Sequence, residues 1–115
     1  MDIELIRDYC VIKTGVEESM PFGNDILVFK VYGKMFALLN LKEPFSLNLK
    51  CEPEYSIKLQ EEYSSIKAGY HMNKKHWITV IIDYNITGIM LNKLIDDSYN
   101  LVKLKLPKKY SSISK

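Results

Sequence analysis

Six consecutive residues, Trp77-Ile78-Thr79-Val80-Ile81-Ile82, constrain the fold of this chain more than any other stretch. They are aromatic or β-branched throughout, which suits a pleated strand. Successive side chains of a strand point to opposite faces. A strand that is apolar on both faces needs cover on both, so this one belongs inside a sheet and not at its edge. Around it the pattern predicts a strand over 76–83, paired with a strand over 66–72 through a turn at Asn73-Lys74-Lys75.

The remaining elements follow from punctuation and period. Residues 2–13 read as a helix, with Ile3, Ile6, Cys10 and Ile12 near helical spacing, acids in the first turn, and Gly15 as the stop. A short strand is expected over 16–20. Met20-Pro21-Phe22-Gly23-Asn24-Asp25 is a dense turn signal. Residues 26–32 and 35–41 form a hairpin with Gly33-Lys34 at its tip. Residues 45–50 alternate cleanly, as a strand with one wet face does. Glu52-Pro53-Glu54 opens a second helix, with Tyr55, Leu59 and Tyr63 on one face. Asp83-Tyr84-Asn85 turns the chain, and Thr87 caps a third helix with the stripe Leu91, Leu94, Ile95, Ser98, Leu101 and Val102, stopped at Pro107. The order helix, strands, helix, two strands, helix predicts a two-layer α+β domain, its helices on one face of an antiparallel sheet. The 115 residues suit a single core, taken as one domain over 1–110 with a frayed tail at 111–115.

Charge narrows the partners. Residues 1–62 carry 7 Lys/Arg against 11 Asp/Glu, and residues 63–115 carry 9 Lys against 3 Asp. The second half is the one able to attract an anion. Arg7 is the only arginine, so base reading through the guanidinium fork is not expected. The acidic start Met1-Asp2-Ile3-Glu4 is unlike a signal peptide, and no apolar run reaches the roughly 20 residues that span a bilayer. A cytoplasmic protein, monomeric and without membrane contact, is expected, with Cys10 and Cys51 as free thiols.

Gly69-Tyr70-His71-Met72-Asn73-Lys74-Lys75-His76-Trp77 concentrates the groups that can touch a ligand: both histidines, the one tryptophan and a lysine pair. Lys74 and Lys75 at a hairpin tip could neutralise phosphates. Tyr70, His76 and Trp77 could stack on bases, with His71 and Asn73 beside them. The plainer reading is a solvated turn with Trp77 in the core. Phe22, Gly23, Asn24 and Asp25, with Lys34, read either as structural turns or as a second wing lining a groove with the first. His71 and His76 are spaced i, i+5 with no further ligand nearby, so no metal is expected. Cys51 and His71 have the residue types of a nucleophile pair, but Cys51 reads more simply as a buried thiol beside a helix cap. No phosphate loop, nucleophile elbow or carboxylate pair appears, so neither a catalytic site nor a cofactor is expected.

Several of these stretches together resemble the MmcQ/YjbR family. They are Pro21-Phe22-Gly23-Asn24-Asp25, Val28-Phe29-Lys30-Val31, Gly33-Lys34-Met35-Phe36-Ala37-Leu38, Leu49-Lys50-Cys51-Glu52-Pro53-Glu54, Gly69 to Trp77, Leu94-Ile95-Asp96-Asp97-Ser98-Tyr99 and Leu106-Pro107-Lys108-Lys109. The resemblance implies a fold related to CyaY and the type III secretion chaperones, and a DNA-binding role inferred for the family from a double-wing shape. Ile78 after the tryptophan, Ala68 before the key glycine, and Tyr110-Ser111 after the lysine pair depart from the family pattern. Two partner classes follow. One is DNA, contacted non-specifically through basic wings. The other is a protein docked on the exposed sheet face.

Overall fold

The computed structural model describes residues 2–69, 72–83 and 85–107. Three helices and six strands form the two-layer α+β domain that the sequence pattern predicts. Helix α1 spans Ile3–Val11, α2 Pro53–Glu62 and α3 Gly88–Leu104. The strands are β1 Val16–Ser19, β2 Ile26–Val31, β3 Lys34–Asn40, β4 Ser46–Lys50, β5 Ile66–Ala68 and β6 Trp77–Ile81. All pairings are antiparallel, in the order β1-β2-β3-β4-β6-β5. Strand β6 is thus an inner strand, as its two apolar faces require.

The register fixes which side chains share a face. Leu27, Phe29, Phe36, Leu39, Leu47, Leu49, Ile66, Ile78 and Val80 join Ile6, Cys10, Leu59, Leu91, Leu94, Ile95 and Tyr99 in one core between sheet and helices. Val28, Leu38 and Trp77 form a smaller cluster on the opposite, helix-free face, flanked by Ile26, Met35 and Met72. Tyr99 completes the α3 stripe: its ring meets Phe36 edge-on at 5.4 Å, and its hydroxyl donates to the Thr14 carbonyl.

Ser98 of α3 enters the sheet itself. Its hydroxyl donates to the Phe36 carbonyl at 2.5 Å and accepts the Lys50 N–H at 2.8 Å, with no solvent exposure. It lies where the β3–β4 ladder ends at Ala37–Leu49 and where β2–β3 slips register past Phe29. A buried hydroxyl therefore replaces a ladder hydrogen bond that the bulge removes.

Several sequence boundaries shift for local reasons. Helix α1 is shorter than 2–13 because Asp2 is its cap, accepting from the Glu4 N–H, and Ile12 is left exposed at its end. The hairpin tip is Tyr32-Gly33, both at positive φ, so Lys34 is the first residue of β3 and not a turn residue. Strand β5 stops at Ala68, well short of 72, because Gly69 lies against Trp77. A Cβ on Gly69 would come within 2.7 Å of the Trp77 Cβ. The expected strand over 76–83 is Trp77–Ile81, since the His76 N–H turns back to the Asn73 carbonyl. The expected tail at 111–115, the lysine pair Lys108-Lys109 and Tyr84 lie outside the described residues.

Candidate anion-binding edge and sheet cleft

The stretch that opened into the inner strand splits into parts with different tasks. Tyr70 and His71 lie outside the described residues. The Asn73 side chain accepts from the N–H groups of Lys75 and His76, at 2.9 and 3.3 Å, so it shapes the turn from within. Lys74 and Lys75 are exposed at the turn, and His76 is half-buried. The His76 carbonyl accepts the Cys51 N–H, tying this turn to the entrance of α2. Trp77 is 9 % exposed, its indole packed with Val28 and Leu38.

At the same end of the sheet, the chain brings together lysines that are far apart in sequence. Lys34 opens β3, Lys50 closes β4 opposite Trp77, and Lys105 caps the C-terminus of α3. With Met35, Trp77 and Val102 they line a cleft of about 310 Å³ that has no acidic residue among its described lining. None of the three lysines forms an ion pair among the described residues. Burial lowers the Lys50 ammonium pKa below its ordinary value, and repulsion from Lys105 lowers it further. Lys105 also complements the negative end of the α3 dipole. By contrast, Arg7 is held by the Glu18 carboxylate in a bidentate pair on the helical side. Lys13 bonds to Asp96 at 2.5 Å, and Lys93 to Asp97 at 2.8 Å.

A second cleft, of about 520 Å³, lies on the helix-free face. The register places Val28, Leu38, Asn48, Thr79 and Lys67 in one row across that face, with Ile26, Asn40, Ser46 and Ile81 in the next. The Pro21–Asp25 turn stands at one wall through Phe22 and Asp25, and Met72 stands at another. Phe22 and Asp25 of that turn thus line one cleft with Met72, two residues before Lys74. The tip of the turn is built on Gly23 at φ 105°, and the Leu41 N–H anchors it to the Asp25 carbonyl at 2.7 Å. Gly23 and Asn24 are exposed within that turn and do not line the cleft. The polar floor, Asn40, Asn48 and Thr79, escaped sequence reading because strand residues on a wet face look alike until the partners are known.

A third groove, between α2 and α3, is lined by Cys51, Tyr55, Leu94, Leu101 and Leu104. Burial pushes the Cys51 thiol up to about 11 and Cys10 to about 12, so both stay protonated at neutral pH and neither is an activated nucleophile. Both thiols are free. Among the described residues no cluster of three His, Cys, Asp or Glu could hold a metal, and no helix is long and apolar enough to cross a membrane.

A small two-layer α+β domain, with lysines gathered at one end of the sheet and a polar cleft on the face opposite its helices, is the class these features define. The chain belongs to the YjbR family, whose sequence model matches residues 12–101. It is 49% identical over 88 residues to the protein YbdF of Escherichia coli O157:H7, covering 76% of this chain and 72% of that one. It is 30% identical to YjbR of Escherichia coli K12, over 93% of this chain and 92% of that one. Among solved structures it resembles the Deinococcus radiodurans protein DR2400, with a TM-score of 0.89 and 36% identity over 96% of this chain and 85% of the other. A protein from Pseudomonas syringae superposes with a TM-score of 0.76 at 29% identity, over 88% of this chain and 98% of that one.

Proposed function

We propose that this protein is a nucleic-acid-binding domain that holds the phosphate backbone along the Lys34–Lys50–Lys105 edge and the neighbouring Lys74-Lys75 turn, without reading sequence strongly. The observation that carries this reading is the convergence of three lysines on one cleft with no carboxylate among the described residues to neutralise them. Like charges held close are costly without a counter-charge, and a polyanion supplies it. Weak specificity follows from the single arginine being occupied by Glu18. The placement of Trp77 agrees with a supporting role, since its indole underlies the lysine cleft as a wall and is little exposed.

A protein docked on the open sheet face would draw on Phe22, 60 % exposed, and on the partly buried Ile26, Met35 and Met72, while Val28, Leu38 and Trp77 are buried there. The test is a salt titration of duplex and single-stranded oligonucleotide binding. Replacing Lys34, Lys50 and Lys105 together with glutamine should weaken binding at low salt. It should also shallow the logarithmic salt slope by about 0.9 per lost phosphate contact on duplex. Lys58→Gln on α2 is the control and should leave both unchanged. An unaltered slope in the triple variant would refute the edge as the contact surface.

A further inference from the structure

We infer that the 520 Å³ cleft on the open sheet face receives one unpaired nucleobase of a strand whose phosphates lie along the lysine edge. This rests on the nucleic-acid reading above and goes further, to the form of nucleic acid bound.

The first observation is the wall. Phe22 is held out of the core on a turn anchored by the Asp25 carbonyl, with its ring 60 % exposed. An open aromatic face is what a base stacks on, and such a contact is sequence-tolerant because every base has a π-face. Met72, which lines the same cleft, supplies a polarizable side chain able to adapt to a ring.

The second observation is the polarity of the floor. The Asn48 amide oxygen accepts the Thr79 hydroxyl at 2.5 Å, and the Asn40 amide oxygen accepts the Lys42 N–H at 3.1 Å. Each amide is thereby oriented, and its NH₂ group is left without a protein partner among the described residues. Asp25 adds a carboxylate, whose oxygens accept. The cleft thus presents oriented donors together with an acceptor. The edge of a nucleobase, with carbonyls or ring nitrogens beside N–H groups, satisfies both kinds. Lys42 lines the cleft as well as Asp25, so its charge is mixed and not set for a free anion, and an aliphatic chain would leave the amides unpaired.

The third observation is continuity. Lys50 is two residues from Asn48 on the same face of β4, about 7 Å along the strand. Lys74 and Lys75 follow Met72 on the same connection. A backbone held at the lysines can therefore direct a base into the cleft. A base stacked and paired within a duplex cannot enter, so single strands are preferred.

The probe is a short single-stranded DNA with one 2-aminopurine among thymines, compared with its duplex, titrated by anisotropy and by 2-aminopurine fluorescence. The expected result is tighter binding of the single strand and a fluorescence change that saturates with binding. Phe22→Ala, at an exposed position that leaves the core intact, should weaken single-strand binding about 5- to 100-fold and spare duplex binding. Asn40→Asp keeps the acceptor for the Lys42 N–H but replaces the donor with a charge, and should weaken single-strand binding in the same selective way. If both variants bind single strands like the parent while the triple lysine variant is impaired, the base site is wrong and the phosphate edge stands. If the triple lysine variant binds and titrates with salt like the parent, the edge is wrong. A continued selective loss in Phe22→Ala would then place the contact at the cleft alone. If the parent binds neither strand form at low salt, both readings fall.

Discussion

Ser98→Ala isolates the hydroxyl that replaces a missing rung of the sheet. The wild-type Oγ has no solvent exposure and serves two backbone groups at once, the Phe36 carbonyl and the Lys50 N–H. Alanine removes both bonds and adds no partner. Phe36 is fully buried and Lys50 partly so, so the cost is that of one buried and one part-buried polar group left unsatisfied, about 1–3 kcal/mol each. Relaxation and an entering water would lower the sum, which puts the expected loss at about 2–4 kcal/mol. For a domain of this size that corresponds to a fall in Tm of about 10 °C or more. Urea unfolding measures the loss, and hydrogen exchange localises it: the Lys50 amide should lose protection ahead of the β4–β6 amides. The same change should loosen the backbone that carries Lys50 into the lysine cleft, so oligonucleotide binding should weaken modestly even where the variant remains folded. A loss below about 0.5 kcal/mol, with the Lys50 amide still protected, would refute the bridging role.

Gly69→Ala should destabilise by about 1–3 kcal/mol, because the new Cβ would sit 2.7 Å from the Trp77 Cβ and 2.9 Å from its carbonyl oxygen. A red shift of tryptophan emission should accompany it, and an unshifted spectrum at unchanged stability would count against this packing. Cys10 and Cys51, with thiols raised to about 12 and 11, should resist a thiol reagent at neutral pH in the native protein and both react after denaturation; rapid labelling of the folded chain would contradict their burial. Asp83 is held below its ordinary pKa first by the Ser65 hydroxyl and then by the Asn85 N–H. Its contribution to stability is therefore complete above the unfolded carboxylate value of about 3.9 and is lost as pH falls through the lower folded value. Ser65→Ala should flatten that acid limb in urea unfolding between about pH 2 and 5, and an unchanged pH profile would exclude the linkage. The amides of β6 should be among the slowest to exchange in the protein, and fast exchange there would contradict its inner position.

The secondary structure was legible because local chemistry decides it. Thr87 caps the helix that follows it and Pro53 suits a first helical turn, whereas Asp2 caps α1 instead of lying within it and the hairpin tip falls at Tyr32-Gly33, one residue before the expected Gly33-Lys34. The inner place of β6 was legible too, since a strand apolar on both faces has no stable position at an edge. The charge imbalance between the halves and the absence of a catalytic pattern were likewise properties of the chain as a string. What the string could not contain was pairing. Lys34, Lys50 and Lys105 are remote in sequence and become one site only because the β3–β4 and β4–β6 registers and the end of α3 meet at the same edge. Asn40, Asn48 and Thr79 become a polar floor only once β3, β4 and β6 lie side by side. Trp77, whose plainer reading is a core residue and whose alternative is a stacking ring, is buried by Val28 and Leu38 on two other strands. The side-chain period fixes which residues share a strand face, but long-range burial and hydrogen bonding choose which strands stand together, and that choice made both candidate surfaces.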